Sequence, residues 1–198
     1  MSEHINRTDP RTQRSRASII AAVVELVESQ PVEQISITRV VEAAGITRPT
    51  FYQHFPDVTK AIQAAVFERL AAAFPLPPQT DAALSEDELR RRIVDHATPV
   101  LAHLANHLVF YQRVLSSAIG VEFFDQLVSF VASRILLDMS PSEGRDLALQ
   151  QHLTTVMAAG MTWLVIRWVA HGDLHPATAA GLAGRVAGIA LSLRAGVM

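Results

Sequence analysis

Residues 45 to 55 read GITRPTFYQHF. This stretch sets Arg48, Thr50, Tyr52, Gln53 and His54 among apolar neighbours, a mixture that a helix built only to fill a core does not need. The polar types suit hydrogen bonding to a nucleic-acid duplex. The planar fork of Arg48 can pair through two N–H groups with the O6 and N7 of guanine. Thr50 offers a hydroxyl and a methyl, one for a base edge and one for a thymine methyl. Tyr52 and His54 carry polar tips far enough from the backbone to reach phosphates, and amides at a helix N-terminus add to phosphate binding. Phe51 and Phe55, four apart, point the other way and pin the segment to its own core. The plainer readings are a solvated Arg48 and half-buried core rings at 52 and 54.

A second set lies further on. On one unbroken helix His96, His103 and His107 would share a face, but Pro99 and the Asn106–His107 step interrupt it; His103 and His107 alone have the i, i+4 spacing that helical zinc sites use. No cysteine and no obvious carboxylate completes such a site. The other readings are polar lining of an organic-ligand pocket and ordinary structural histidines. Phe110, Tyr111, Met157, Met161 and Trp163 are candidates for the apolar lining of the same pocket, and equally for plain core.

These residues must be positioned by helices. Apolar residues at Ile19, Ile20, Val23, Val24, Leu26 and Val27 predict an amphipathic helix from Arg11 to Ser29, stopped by Pro31. Ser36 is the N-cap of a second helix, with Ile37, Val40, Val41 and Ala44 inward. Gly45 ends it in the left-handed conformation. Thr47 caps a third, very short helix with Pro49 in its first turn, where no amide hydrogen is required. Two short helices joined by a tight Gly turn make a helix-turn-helix, whose second helix enters the major groove by its N-terminal end. A fourth helix starts at Asp57 and runs to about Phe74.

PLPPQTD, residues 75 to 81, favours an extended linker. Beyond it SEDE, 85 to 88, is a capping box opening a helix to about Ala105, kinked at Pro99. Helices follow over roughly 107 to 117 and 121 to 138, the latter with Phe123, Phe124, Leu127, Phe130, Val131 and Ile135 inward. SPSE at 140 to 143 caps a long helix to His171, and Pro176 opens the last, to about Ala195. No segment alternates with period two, so no sheet is expected. The last two helices carry small residues at Ala177, Ala180, Gly181, Gly184, Ala187 and Gly188. Their spacing lets another helix approach closely, either across a four-helix dimer interface or within the chain. The expected organisation is all-α, with about nine helices. It comprises a disordered basic arm over 1–10, a helix-turn-helix DNA-binding domain over 11–56, a connecting helix over 57–74, a Pro-rich linker over 75–84, and a ligand-binding and dimerisation domain over 85–198.

Composition agrees with a globular chain: 198 residues, 49% hydrophobic and 18% charged. Net charge is −2, but nucleic-acid binding depends on local charge. Residues 7 to 16 hold Arg7, Arg11, Arg14 and Arg16 against Asp9 alone. They are either a basic DNA-binding arm or a solubilising one. Arg90, Arg91 and Arg92 lie three or four residues from acids and read as a solvated face. No signal peptide is read at the N-terminus, and the most apolar late segment, interrupted by Arg167, is too short to span a bilayer. The absence of Cys, HExxH, Glu-x-x-His, GxSxG and a phosphate-binding Gly loop argues against an enzyme. No cofactor is expected, and a cytoplasmic location fits.

SITRVVEAAGITRPTFYQHFPD, residues 36 to 57, resembles the TetR family of transcriptional regulators. An apolar pair, Ala-Gly, a β-branched residue and a capping Thr are followed by Thr-aromatic-Tyr-x-His-Phe. The likeness covers residues 11 to about 74 closely; the remainder matches in kind, being all-helical and ending in two long helices. The resemblance implies a homodimer with one three-helix head in each of two successive major grooves of a palindromic operator. Carried over by position, Thr38, Arg48, Thr50 and Gln53 lie nearest the bases. Ser36, Pro49, Tyr52 and His54 lie against the backbone, and Thr47 caps the recognition helix. The family's Lys at the start of the fourth helix is replaced by Val58, so its phosphate contact is lost or falls to Lys60. The family's Gly in the turn after the first helix is replaced by Pro31. The expected function is a ligand-responsive regulator, a repressor released by a small, mainly apolar effector. The alternatives are a helical interaction protein and a metal-sensing regulator using His96, His103 and His107.

Overall fold

The computed structural model describes residues 9–76, 85–117, 120–135, 147–171 and 176–196. These residues form nine α-helices and no strand. They divide into two compact units, Met1–Arg69 and Leu70–Met198.

In the first unit, α1 spans Pro10–Ser29. It begins where Asp9 accepts the Arg11 amide at 2.9 Å, with Pro10 in the first turn. Ile19, Val23 and Val27 recur every fourth residue and are wholly buried, as one inward helical stripe should be. The chain leaves α1 through an extended Gln30, and Pro31 opens a 3₁₀ turn at Val32–Gln34 closed by the Ile35 amide on the Val32 carbonyl, 3.0 Å. This is how the Pro31 turn differs from one made with glycine: fixed φ and a single 3₁₀ turn replace a left-handed residue.

Helices α2 (Ile37–Ala44) and α3 (Arg48–His54) follow. Ser36 caps α2 by accepting the Arg39 amide. Gly45 ends it at φ +64°, with the Gly45 amide on the Glu42 carbonyl and the Ile46 amide on that of Val41. That pair of bonds is the Schellman pattern, which needs a left-handed residue. Next, α4 spans Val58–Ala73, and the division between the two units falls inside it.

In the second unit, α5 (Glu86–Asn106) opens with the capping box of Ser85 and Glu88. Leu89, Ile93, Ala97, Leu101 and Leu104 are its buried stripe. Pro99 sits inside this helix on its exposed side. There it removes one backbone bond without ending the helix, and the Thr98 hydroxyl donates to the Val94 carbonyl at 2.7 Å. Helices α6 (Leu108–Ser116), α7 (Val121–Ile135), α8 (Leu147–His171) and α9 (Pro176–Gly196) complete the unit. Helix α9 packs on α5, and α6 and α7 pack on α8. Phe74, 2% exposed, is held against the His96 and Phe130 rings, while Arg134 donates to its carbonyl at 2.7 Å. Residues 1–8 of the expected arm, 77–84 of the expected linker and the SPSE segment lie outside the described residues.

Candidate nucleic-acid interface

A seven-residue helix is too short to persist alone in water, so α3 depends on its ends and its packing. Thr47 accepts the Thr50 amide, and its Oγ1 lies 2.9 Å from the Thr50 hydroxyl. Phe51 is wholly buried and Phe55 is 6% exposed. With its C-terminal half anchored this way, the opposite side of α3 is turned to solvent. Arg48, Pro49, Tyr52 and Gln53 are exposed there, Tyr52 by 54%, and Thr50 is half-buried. Ser36 and Thr38 are exposed at the start of α2. One contact joins the two helices on this surface: Arg48 Nη2 donates to Thr38 Oγ1 at 2.6 Å.

His54 behaves differently from its neighbours. It is half-buried, and its Nε2 lies 2.7 Å from Ser15 Oγ on α1. That hydroxyl also lies 3.0 Å from the Thr12 carbonyl, so Ser15 links the imidazole to the first turn of α1. Burial, then the nearby Arg16 guanidinium, pushes the His54 pKa below its ordinary value. Arg16 itself pairs with Glu68 and lies 5.4 Å from the centre of the Phe55 ring. With Nε2 engaged by Ser15, His54 reaches a phosphate only through Nδ1, and only when that nitrogen carries a proton.

Lys60 is half-buried in the first turn of α4, where its amide donates to Asp57 Oδ1 at 2.7 Å. Asp57 therefore starts this helix, as its position suggested. Sequence reading passed over Arg39 as a site residue. It is an exposed cation in the first turn of α2, one residue beyond Thr38, and its Nη1 donates to the Gln30 side chain. A basic residue directly after the Ser36 cap was the available signal.

The residues expected around a ligand are partly gathered. At the junction of α5 and α6, His103 Nε2 lies 2.9 Å from the Tyr111 hydroxyl and the His103 and His107 rings are 4.6 Å apart. Phe110 and Tyr111 are buried with perpendicular rings. Met157 and Met161 lie on the buried face of α8. Trp163 requires correction: it is 54% exposed, apart from Phe110, Tyr111, Met157 and Met161, which are buried among the described residues. The three-histidine metal site also requires correction. Among the described residues no group of three metal-ligating side chains comes together. His96 lies two helical turns from His103, roughly 10 Å along the axis, too far for two ~2 Å bonds to one ion. Its Nε2 lies instead 2.9 Å from the Pro75 carbonyl.

Residues 19–60 match the family model described as bacterial regulatory proteins, tetR family. No curated protein sequence matches the chain significantly. Among solved structures, the dihydroxyacetone kinase operon activator DhaS is 16% identical, with 90% of this chain and 94% of that one covered and a TM-score of 0.60. The TetR family repressor AlkX from Dietzia sp. strain DQ12-45-1b is 18% identical, with 94% and 97% covered and a TM-score of 0.52. A TetR-like transcriptional regulator from Rhodococcus sp. RHA1 is 18% identical, with 93% and 98% covered and a TM-score of 0.50. The helix-turn-helix segment thus matches the TetR-family model, and the whole chain shares the all-helical fold of these proteins. Regulators of this family act by binding DNA and are not enzymes. No described helix is long and apolar enough to cross a membrane.

Proposed function

We propose that the chain is a ligand-responsive repressor that binds a palindromic operator as a homodimer and is released by a small, mainly apolar effector. The observation that carries this reading is the two-sidedness of α3. Phe51 and Phe55 are sunk in the head while Arg48, Tyr52 and Gln53 stand in solvent. A helix this short, pinned at one end and capped by Thr47 at the other, delivers its N-terminal side chains to a groove without first having to order them. Thr38, Arg48, Thr50 and Gln53 are assigned to base edges. Ser36, Pro49, Tyr52 and Lys60 are assigned to the backbone, and His54 to a supporting place between the two.

The homodimer is supported by the outer faces of α8 and α9. Val156, Trp163, Leu164 and Ile189 are large apolar residues exposed there, and Gly160, Ala180 and Gly181 are exposed between them. A lone soluble chain gains nothing from such a face, whereas a two-fold copy of itself covers it. The effector is assigned to the second unit, near His103, Tyr111 and Met161. It releases DNA only by binding the DNA-incompetent state more tightly than the competent one. A cytoplasmic location follows from a DNA partner.

The test is a gel shift against duplexes from the chain's own upstream region. Arg48→Ala is expected to relax base preference by ~1–3 kcal/mol, and Tyr52→Phe to weaken all sequences alike. If both variants bind every probe like the wild type, the assignment of these residues is wrong. A thermal-shift screen of small apolar compounds identifies the effector class.

A further inference from the structure

By position in the sequence, Thr38 and Arg48 are two separate readers of DNA. The structure joins them. Arg48 is the first residue of α3, Thr38 the second of α2, and both are exposed. Arg48 Nη2 donates to Thr38 Oγ1 at 2.6 Å, a short bond of the charge-assisted kind. The ten-residue separation is closed by the left-handed Gly45, which folds α3 back beside the start of α2.

The chemistry of the pair is restrictive. A hydroxyl has one proton and two lone pairs, and a guanidinium has five N–H groups and no acceptor. With one lone pair of Thr38 given to Arg48, the threonine keeps its proton and a single lone pair, while the guanidinium still offers only donors. The bond also fixes the plane of a side chain that is otherwise free to swing. Two parallel N–H groups in a fixed plane match O6 and N7 of guanine, whereas adenine presents a donor at N6.

We propose that Thr38 is a positioning residue for Arg48, and that the two read a single guanine as one unit. This rests on the reading of α3 as the DNA-contacting helix. The test uses the full-length protein and a random-sequence duplex pool, with enriched sequences read for wild type, Thr38→Val, Thr38→Ser, Arg48→Ala and Thr38→Val/Arg48→Ala. Thr38→Val keeps shape and loses the acceptor, and melting curves check that each variant is folded.

The expected result is that Thr38→Val lowers affinity for the selected duplex about tenfold and relaxes preference at the same base pair as Arg48→Ala. The double variant is then no weaker than Arg48→Ala alone, and Thr38→Ser restores the wild-type pattern. If Thr38→Val relaxes a different base pair, or its loss adds to that of Arg48→Ala, the two read DNA separately and the inference fails while the DNA-binding reading stands. If the folded wild type enriches no sequence, the DNA-binding reading fails and this inference with it.

Discussion

Replacing glycine by alanine should have opposite signs at two places in this chain. Gly45 has φ +64°, and a Cβ built on it meets nothing within 4 Å. The cost of Gly45→Ala is therefore purely conformational. An L-residue held in the left-handed region pays about 1–2 kcal/mol, against which the gain from a stiffer unfolded chain is about 0.4–1 kcal/mol. The net loss is ~1 kcal/mol, and it falls on the turn that sets α3 beside α2. Gly184, inside α9, likewise has nothing within 4 Å of a built Cβ but carries no positive φ. There Gly184→Ala should stabilise by about 0.5–1 kcal/mol. Native-state hydrogen exchange reads the two units separately. Gly45→Ala should lower protection of the globally exchanging head amides by roughly fivefold, and Gly184→Ala should raise that of α9. Unchanged or increased protection of the head in Gly45→Ala would refute the conformational argument, since no steric contact remains to explain it.

Further expectations concern packing, pH and assembly. Phe51→Ala removes a wholly buried ring and should cost the head ~3–5 kcal/mol, so that DNA binding is lost and head amides exchange freely while α5 amides stay protected. Head stability should fall as pH drops below the ordinary histidine value of 6.5, because the unfolded chain then takes up a proton that His54 in the fold resists. The His54 contribution is constant above that pH, and denaturant titrations of His54→Gln should lack the step. Trp163→Glu should leave the monomer folded but weaken a two-fold dimer, because the change is made twice per interface. At ~1.5–3 kcal/mol per large apolar side chain, the dimer dissociation constant rises on the order of 10²–10⁴-fold, which sedimentation equilibrium would detect.

Helix ends were the most legible part of the sequence. Ser36, Gly45, Thr47 and Ser85 with Glu88 act through bonds to residues two to five positions away, and short-range chemistry is written in adjacent letters. Longer links were not legible. The Thr38–Arg48 bond depends on how one turn folds, and the Ser15–His54 bond joins residues 39 apart. Nothing in GITRPTFYQHF says that His54 is turned toward α1 while Tyr52 stands clear. Trp163 was misplaced for another reason: α8 is apolar nearly all round, so its periodicity gives no face to choose. Such a helix is expected where one side packs in its own chain and the other in a second copy. The division inside α4 is a further case, because Leu70 and Phe74 continue the helix in sequence but are buried in the second unit.

The charge of the head decides how its DNA binding should respond to salt. Two of its cations are committed elsewhere: Arg16 to Glu68, and Arg69 to Glu28 at 2.8 Å. Arg48 is assigned to a base. Among the helix-turn-helix and the start of α4, Arg39 and Lys60 are the cations assigned by position to phosphate, with Ser36 and Tyr52 contributing neutral hydrogen bonds that release no counterion. A dimer using these alone neutralises four phosphates, and the logarithm of its binding constant should fall with that of salt concentration with a slope of about −4. If Arg7, Arg11 and Arg14 also lie along the backbone, the count rises to ten and the slope to about −9. Measuring affinity for the selected duplex between 50 and 200 mM salt, on the order of conditions where the effect is large, therefore decides whether the basic start of the chain is part of the interface. Arg11→Gln with Arg14→Gln should flatten the steeper slope and leave the shallower one untouched. A wild-type slope flatter than about −2 would remove Arg39 and Lys60 from the DNA-binding surface.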